Sequence, residues 1–552
     1  MPTAIRRHRQ VNPWAVLIVL SLGTFMTLLD LTIVNVAIPS LSTGLGASLD
    51  QVLWVLNAYS LGYAVLLITT GRLGDVFGPR NLFAAGLSLF TVASALSGLA
   101  QSPTQLILAR ALQGVGAALL APQGLPIMLS LFPPHRRAGV FAVFGILAGL
   151  AVVAGPTLGG VLVTHFGWRS IFYVNLPVGV LVVALAFVLI PDLRPGIRHR
   201  LDLVGVLLAT AGLLGVVFGL IEGERYSWGT FRGPITIPMI IAAGVALLVG
   251  FLVHQYRRQG SEPLLPFAVF QDRNFSLMTL VMATMGFSIL GVYLPLTIYL
   301  QSVLGLTALE AGLTTAAQPL AMLLMSGVAS ALVQKVSPKY LVIPGLVAFA
   351  AGIVYLAGAV EVGSSRWVFL PGLITSGLGM AFIWTPVYAL ATRDLRPDLG
   401  GVASGVINTI QELGGVIASA ALGALLQNRL AAGLHDQAVA RAGELPEAER
   451  QPFVDGFANA SQQGLGVGAG QAGAPALPPG LPEQVARQIQ VVAHEVFSHA
   501  FVAAMRPTML VPVAVILLTA VACLWVRALP PAGAAKSSDE AARPIESGQA
   551  VA

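Results

Sequence analysis

The sequence predicts an all-α membrane protein of fourteen spanning helices, and three observations lead there. Of its 552 residues, 56% are hydrophobic and only 10% charged, whereas a soluble globular domain carries about 25% charged residues. Apolar stretches of about 20 residues, the length that crosses the hydrocarbon as a helix, recur along most of the chain. Lysine and arginine crowd into alternate connections between those stretches, the pattern of a chain oriented by its cytoplasmic loops.

Taken in order, the spans are expected at 14–38, 51–71, 81–101, 104–125, 137–163 and 168–191, then 202–222 and 234–254, and finally 275–301, 309–333, 340–360, 367–392, 400–428 and 507–528. The opening "MPTAIRRHRQVNPW" looks like the start of a secretion signal. The apolar run from Trp14 to Ile38 is too long for a signal core and lacks a clear cleavage site, so it is read as a retained first span. One side of the membrane collects Arg6, Arg7, Arg9, Arg72, Arg80, Arg136, Arg137, Arg194, Arg198, Arg200, Arg257, Arg258, Arg273, Lys335, Lys339, Arg393, Arg396, Arg527 and Lys536. The short loops opposite hold Arg169, Arg225, Arg232 and Arg366. The rich side is therefore cytoplasmic. Both termini, residues 1–13 and a disordered tail 529–552, are expected inside a multi-pass protein of the cell (inner, cytoplasmic) membrane. The same asymmetry accounts for the net charge of +6 without a nucleic-acid partner.

One connection is not short. Residues 429–506 are expected to form a long external loop, flexible through "SQQGLGVGAGQAGAPALPPG" and helical from about 482 to 503, where it leads into the last span. That loop is a candidate dock for an envelope partner. Its "HEVFSH" spaces His494 and His499 five apart, whereas the zinc motif needs four on one helical face. No metal is expected. The single cysteine, Cys523, excludes a disulfide within the chain.

Three short sequences stand where a transporter would need them. "GRLGDVFGPRN", 71–81, makes the tight loop between spans two and three. Gly71 and Gly78 allow close approach there, while Asp75 and Arg80 can pair or face the ends of neighbouring helices; a plain polar turn is the simpler alternative. "LILARALQGVGAALLAP", 106–122, buries Arg110 inside span four. A charge at that depth must face a protein interior or a water-filled cavity. "GLAVVAGPTLGG", 149–160, places Gly155–Pro156 within span five, where proline interrupts helical hydrogen bonding. Gly145/Gly149 and Gly155/Gly159, followed by Gly160, give small faces for close packing or for conformational change.

Together "LLDLTIVNVAIP", "GRLGDVFGPR", "RALQGVGAA" and "AGPTLGG" resemble the signature motifs of the major facilitator superfamily. "GWRSIFYVNLPVGV" (167–180), "YLQSVLGLTALEAG" (299–312) and "GVASGVINTIQELGG" (401–415) resemble its fourteen-span drug:proton antiporter branch, the QacA/EmrB type. The resemblance implies the major facilitator fold: a six-helix bundle over 14–191, two inserted helices over 202–254, and a second six-helix bundle over 275–528. "GVASALVQKVSPK", 327–339, looks like a decayed second copy of 71–80. Val76, Pro79 and Ala151 depart from the usual arginine, basic residue and glycine, which bears on how the conformational switch of Gly71, Asp75, Gly78, Arg80, Gly155, Pro156, Gly159 and Gly160 is latched.

Helix arithmetic places the intramembrane charges. At about 1.5 Å per residue, Asp30 lies about 13 Å from the outer end of span one and Arg110 about 10 Å from the same face. At similar depth they can pair, directly or through water, and offset part of each burial cost. Burial favours the protonated acid and a guanidinium disfavours it, so a rearrangement that breaks the pair would load or unload a proton; a static ion pair is the alternative. Glu412 lies about 18 Å deep in span thirteen by the same rise, amid Asn408, Thr409 and Gln411. It is expected to bind a proton or a cationic substrate, or else to be a packed, protonated glutamate. Asn35, Asn57, Asn408, Gln411 and Glu412 are expected to line the substrate cavity, with Asp30, Arg110 and Glu412 coupling protons.

The only lysines are Lys335, Lys339 and Lys536, none in a Gly-Lys-Ser/Thr phosphate loop. No clustered nucleophile and base suggest an enzyme. The expected function is a monomeric, cofactor-free, proton-driven secondary transporter set among membrane lipids, a multidrug efflux antiporter that exports amphipathic, cationic or lipophilic compounds by alternating access. Export of a lipid or an endogenous metabolite, such as a self-made antibiotic, is the alternative; a non-transporting receptor is the reading from a different class.

Overall fold

The helix boundaries follow from local chemistry at the ends of apolar runs. In the computed structural model, which describes residues 12–47, 49–193, 201–223, 225–260, 263–393, 395, 399–462 and 482–528, the first helix, α1 (Pro13–Leu45), opens with the Asn12 side chain accepting from the Trp14 N–H and closes at Gly46 with φ 60°. Proline at the first turn and an oxygen-bearing cap recur elsewhere. Ser102 caps α4 (Pro103–Leu120) through the Gln105 N–H, and Thr236 caps the eighth long helix through the Met239 N–H. Between α1 and α4 lie α2 (Leu49–Phe77) and α3 (Pro79–Leu99). The fourth span continues through a 3₁₀ turn at Ala121–Gln123 into Gly124–Leu131.

The first half is completed by α5 (Pro134–Phe166) and α6 (Asn175–Leu189). Then come α7 (Leu203–Glu222) and α8 (Ile237–Arg257), joined by a small hairpin, Thr230–Arg232 with Ile235–Thr236. The second half holds α9 (Arg273–Ile298), α10 (Ala317–Lys335), α11 (Lys339–Ala359), α12 (Leu370–Thr392), α13 (Gly400–Arg441) and α14 (Glu483–Ala522). Among the described residues thirteen helices are long and apolar enough to cross a membrane. The 33-residue α5 occupies the place of the expected fifth span. The chain is a multi-pass membrane protein.

Each half has its own apolar interior. In the first, Val16, Phe83, Phe90 and Ile127 form one cluster and Ile33, Leu41, Trp168 and Phe172 another. In the second, Met282, Phe349, Leu390 and Phe501 belong to one continuous core. The inserted α7 and α8 pack on each other, and α7 lies against both α2 and α13, with Trp54 and Phe218 rings 5.9 Å apart. The halves meet where α2 packs on α13 and where α5 packs on α10 and α12. Close approaches gather at the arginine-rich ends of these helices: Arg137 Nη1 donates to the Thr392 carbonyl at 3.1 Å, and a Cβ on Gly405 would lie 2.9 Å from the Leu67 carbonyl.

One expectation is corrected. The segment 429–506 is largely helical wherever it is described. Helix α13 runs on to Arg441, a further helix spans Glu447–Gln462, and α14 begins at Glu483. Leu430, Leu434, Phe453, Phe457, Ile489, Val492, Val496 and Phe497 are buried together in this outer unit. Leu426, Leu430 and Leu434, spaced by four, form an apolar stripe that the surrounding alanines and glycines disguise. Most of the stretch read as flexible, 463–480, lies outside the described residues, as do residues 1–11 and 529–552.

Candidate functional site

Helix α1 carries Asp30 into the first half with no exposed surface, and α4 brings Arg110 to it with 1% exposure. Arg110 Nη1 donates to Asp30 Oδ2. The other carboxylate oxygen, Oδ1, accepts from Gln113 Nε2 at 2.9 Å and Asn175 Nδ2 at 3.2 Å. Arg110 is satisfied further by Gln113 Oε1 at 2.7 Å and the Val55 carbonyl at 3.3 Å. Its guanidinium also lies over the Tyr59 ring, 4.6 Å from the centroid, and 5.9 Å from that of Phe172. Asn175 reaches Ser94 at 3.1 Å, and Ser94 donates to the Phe172 carbonyl at 2.8 Å. Two opposite charges leave water only when pairing and hydrogen bonds replace their hydration, and every member here supplies one. Five helices, α1, α2, α3, α4 and α6, thus converge on one buried ion pair.

The glycines of the fifth span set how α1 sits. A Cβ on Gly155 would collide with Thr32, and one on Gly159 would lie 2.8 Å from Ile33 Cγ1, within one turn of Asp30. Pro156 lies within α5, its side chain outside the described residues. Among the described residues a Cβ on Gly160 would meet nothing within 4 Å, so close packing does not explain a glycine there.

At the arginine-rich end, a Cβ on Gly71 would sit 2.6 Å from the Gly401 carbonyl oxygen. Gly78 has φ 87°, a left-handed conformation that favours glycine, immediately before α3. Asp75 and Arg80 take different partners. Asp75 Oδ2 pairs with Arg72 at 3.4 Å, and its other oxygen crowds Gly401 at the start of α13, where a helix N-terminus favours negative charge. Arg80 pairs with Asp192 at 3.2 Å, tying α3 to the end of α6. Gln123 donates to the Thr70 carbonyl at 2.9 Å, and Thr70 donates to that of Ala118 at 2.7 Å, fixing α2 to the kinked fourth span.

Glu412 lies half-buried on α13, on the opposite side of the seam from Asp30. Its helix packs against α2, which carries Tyr59 and Tyr63. Asn408 donates to the Ser404 carbonyl at 2.9 Å, and Gln411 presents its carbonyl to Gly286, where a side chain would clash. Asn57 is half-buried, and Asn35 is exposed and donates to the Leu31 carbonyl of its own helix at 3.0 Å. Among the described residues no hydrogen bond links Asn35, Asn57 and Asn408 to one another. The structure therefore joins Asp30 to Arg110 and leaves Glu412 as a separate acid. Sequence reasoning missed Gln113 and Asn175. The signal for Gln113 was its position three residues after Arg110, on the same helical face; for Asn175, a lone amide in an apolar run.

The description "Major Facilitator Superfamily" belongs to the family model that matches residues 20–419. The chain belongs to the major facilitator superfamily. This superfamily member is a secondary transporter, not an enzyme. It is 39% identical over 82% of its length to an uncharacterized MFS-type transporter of Mycobacterium tuberculosis, covering 79% of that protein. It is 34% identical to a probable actinorhodin transporter of Streptomyces coelicolor, over 75% of this chain and 72% of that one. It is also 34% identical to the multidrug resistance protein Stp of Mycobacterium tuberculosis, over 76% of each. In fold it is similar to the human organic anion transporter MFSD10, with a TM-score of 0.56 and 13% identity over 92% of this chain and all of that one.

Proposed function

We propose that the chain is a proton-driven efflux antiporter that exports amphipathic, cationic or lipophilic compounds by alternating access. The observation that carries this reading is the buried carboxylate of Asp30, held by Arg110, Gln113 and Asn175. A protonated Asp30 no longer needs the guanidinium, so proton uptake releases Arg110 and loosens the packing of α1, α4 and α6. Deprotonation rebuilds it. The arginine-rich end is taken as cytoplasmic, which puts both termini on the cytoplasmic side of the cell membrane and makes the state seen here closed toward the cytoplasm. A proton arriving from outside would favour substrate release there and reset the transporter. The half-buried Glu412 meets cationic substrate or a second proton, in a cavity that Asn35, Asn57, Asn408 and Gln411 are assigned to line. The switch glycines allow the halves to rock. A single chain and no cofactor suffice. The likeness to a probable actinorhodin transporter and to the multidrug resistance protein Stp supports small-molecule export; export of an endogenous metabolite, such as a self-made antibiotic, is the alternative reading.

The test is Asp30→Asn in proteoliposomes with an imposed pH gradient. Gradient-driven export of a cationic dye is expected to cease while the protein still inserts and downhill exchange continues. Full driven export by this variant would overturn the assignment.

A further inference from the structure

The two acids lie on different halves, and the packing of α2 against α13 sets what stands between them. The register is fixed by glycines: Gly71 faces Gly401, and Leu67 faces Gly405. Each step of four along one helix is matched by a step of four backward along the other, as expected for antiparallel neighbours. Continued by one more turn, that register would set Tyr63 level with Thr409. A second turn would set Tyr59 level with Leu413, with Glu412 between the levels of the two tyrosines. Thr409 Oγ1 is buried there without a hydrogen-bond partner among the described residues.

The tyrosines are themselves joined. Their rings stack with centroids 6.3 Å apart and planes at 16°. Tyr59 is 1% exposed and carries the Arg110 guanidinium on its face, 4.6 Å from the centroid. Tyr63 and Tyr388 both pack against the apolar core of the first half, while Tyr388 and Trp384 also pack against that of the second. Trp384 and Tyr388 stack in turn, at 6.2 Å and 16°. Two stacked aromatic pairs therefore stand at the seam, Tyr59–Tyr63 on α2 beside the Asp30–Arg110 pair and Trp384–Tyr388 on α12.

We infer that Tyr63, stacked on Tyr59, is the positioning residue that couples Asp30 to Glu412, so that neutralising one acid changes the proton affinity of the other. When Asp30 is neutral, Arg110 depends on the Tyr59 face for its remaining stabilisation. The Tyr59 ring follows the guanidinium, and Tyr63 moves with it against Glu412. Both rings also keep water out of the gap, which preserves the strength of charge interactions across it. The groups that face Asp30 are Arg110 of α4, Tyr59 of α2, and the neutral Gln113 and Asn175. Those facing Glu412 are Tyr59 and Tyr63 of α2, with Tyr388 of α12 beside Tyr63.

This coupling rests on the proton-driven reading above, and its test separates the two. Infrared difference spectra of the full chain in nanodiscs, each against the matching Glu412→Gln variant, isolate the carboxyl band of Glu412 and give its protonation midpoint without any substrate. Asp30→Asn, by re-seating the Arg110 guanidinium and with it the Tyr59–Tyr63 stack, is expected to shift that midpoint by about one pH unit or more, the threshold for a coupled pair. In Tyr63→Leu and Tyr63→Met backgrounds the same change should shrink to less than about a third of that shift, a non-additive cycle. Tyr63→Phe, which keeps the stack, should retain at least half. An equal shift in the parent and in the Leu or Met background overturns the coupling, as does no shift in the parent. If driven export still fails in Asp30→Asn, the antiporter reading survives that result; if export persists, the reading falls independently.

Discussion

Replacing Gly71 by alanine should move the balance between the two states of the transporter, and the structure sets the size of the effect. The new Cβ would lie 2.6 Å from the Gly401 carbonyl oxygen and 3.3 Å from the Gly405 Cα. Both obstacles are backbone of the opposite half, so relief requires α2 and α13 to separate at the arginine-rich end. Overpacking of this kind costs about 1–3 kcal/mol. The cost falls only on the state in which these ends touch. The ratio of that state to its opposite should therefore drop about 5- to 150-fold. Pulsed electron–electron resonance reads the change directly. Spin labels at Arg136→Cys on α5 and Lys335→Cys on α10, after Cys523→Ser, straddle the seam at that end. The Gly71→Ala protein should gain a longer-distance population. Gly160→Ala, where a Cβ meets nothing within 4 Å, should leave the distribution unchanged. An unaltered distribution in Gly71→Ala would refute the claim that this glycine contact holds the end closed.

Two further outcomes are expected. Burial pushes the Asp202 carboxyl up, but hydrogen bonds from His254, the Gly205 N–H and Gln255 more than offset it, so it titrates below its ordinary value. A depressed folded-state value means that its stabilisation is complete above the unfolded value of about 4 and is lost as pH falls through the folded one. Thermal unfolding of the parent should therefore weaken on acidification in that window, and Asp202→Ala, which also removes the cap of α7 at a cost of about 0.5–2 kcal/mol, should lack that component; an identical pH slope in both would contradict it. Phe457 is fully buried beneath the outer helices, 5.0 Å from Phe453, and Phe457→Ala should cost about 3–5 kcal/mol of local stability. Hydrogen exchange should accelerate across Glu447–Gln462 and leave α1–α6 protected; unchanged protection in the outer helix would show that it does not depend on this core.

The sequence made the spans and the Asp30–Arg110 pair legible for the same reason. A charge inside an apolar helix is conspicuous, and a constant rise per residue converts sequence position into depth. Contacts set by tertiary geometry were less accessible. Arg80 meets Asp192 from another helix end, which no local spacing announces, while Asp75 pairs with Arg72. The outer unit reads as a loop in the sequence because alanine and glycine dilute the stripe of Leu426, Leu430 and Leu434, and burial there depends on two later helices, Glu447–Gln462 and α14. The placing of Glu412 level with Tyr63 and Tyr59 depends on the register of α2 against α13. That register is set by backbone contact at glycines, which carry no side-chain pattern to read. Gly160 shows the opposite case: it belongs to a recognisable motif, yet its surroundings are open.

The central claim is that proton movement through a buried carboxylate drives uphill export. The most direct measurement is dye accumulation by purified protein in sealed vesicles, before and after a protonophore dissipates both the pH difference and the voltage. The mechanism predicts that accumulation stops while exchange down a dye gradient goes on. Undiminished accumulation without any proton gradient would contradict it.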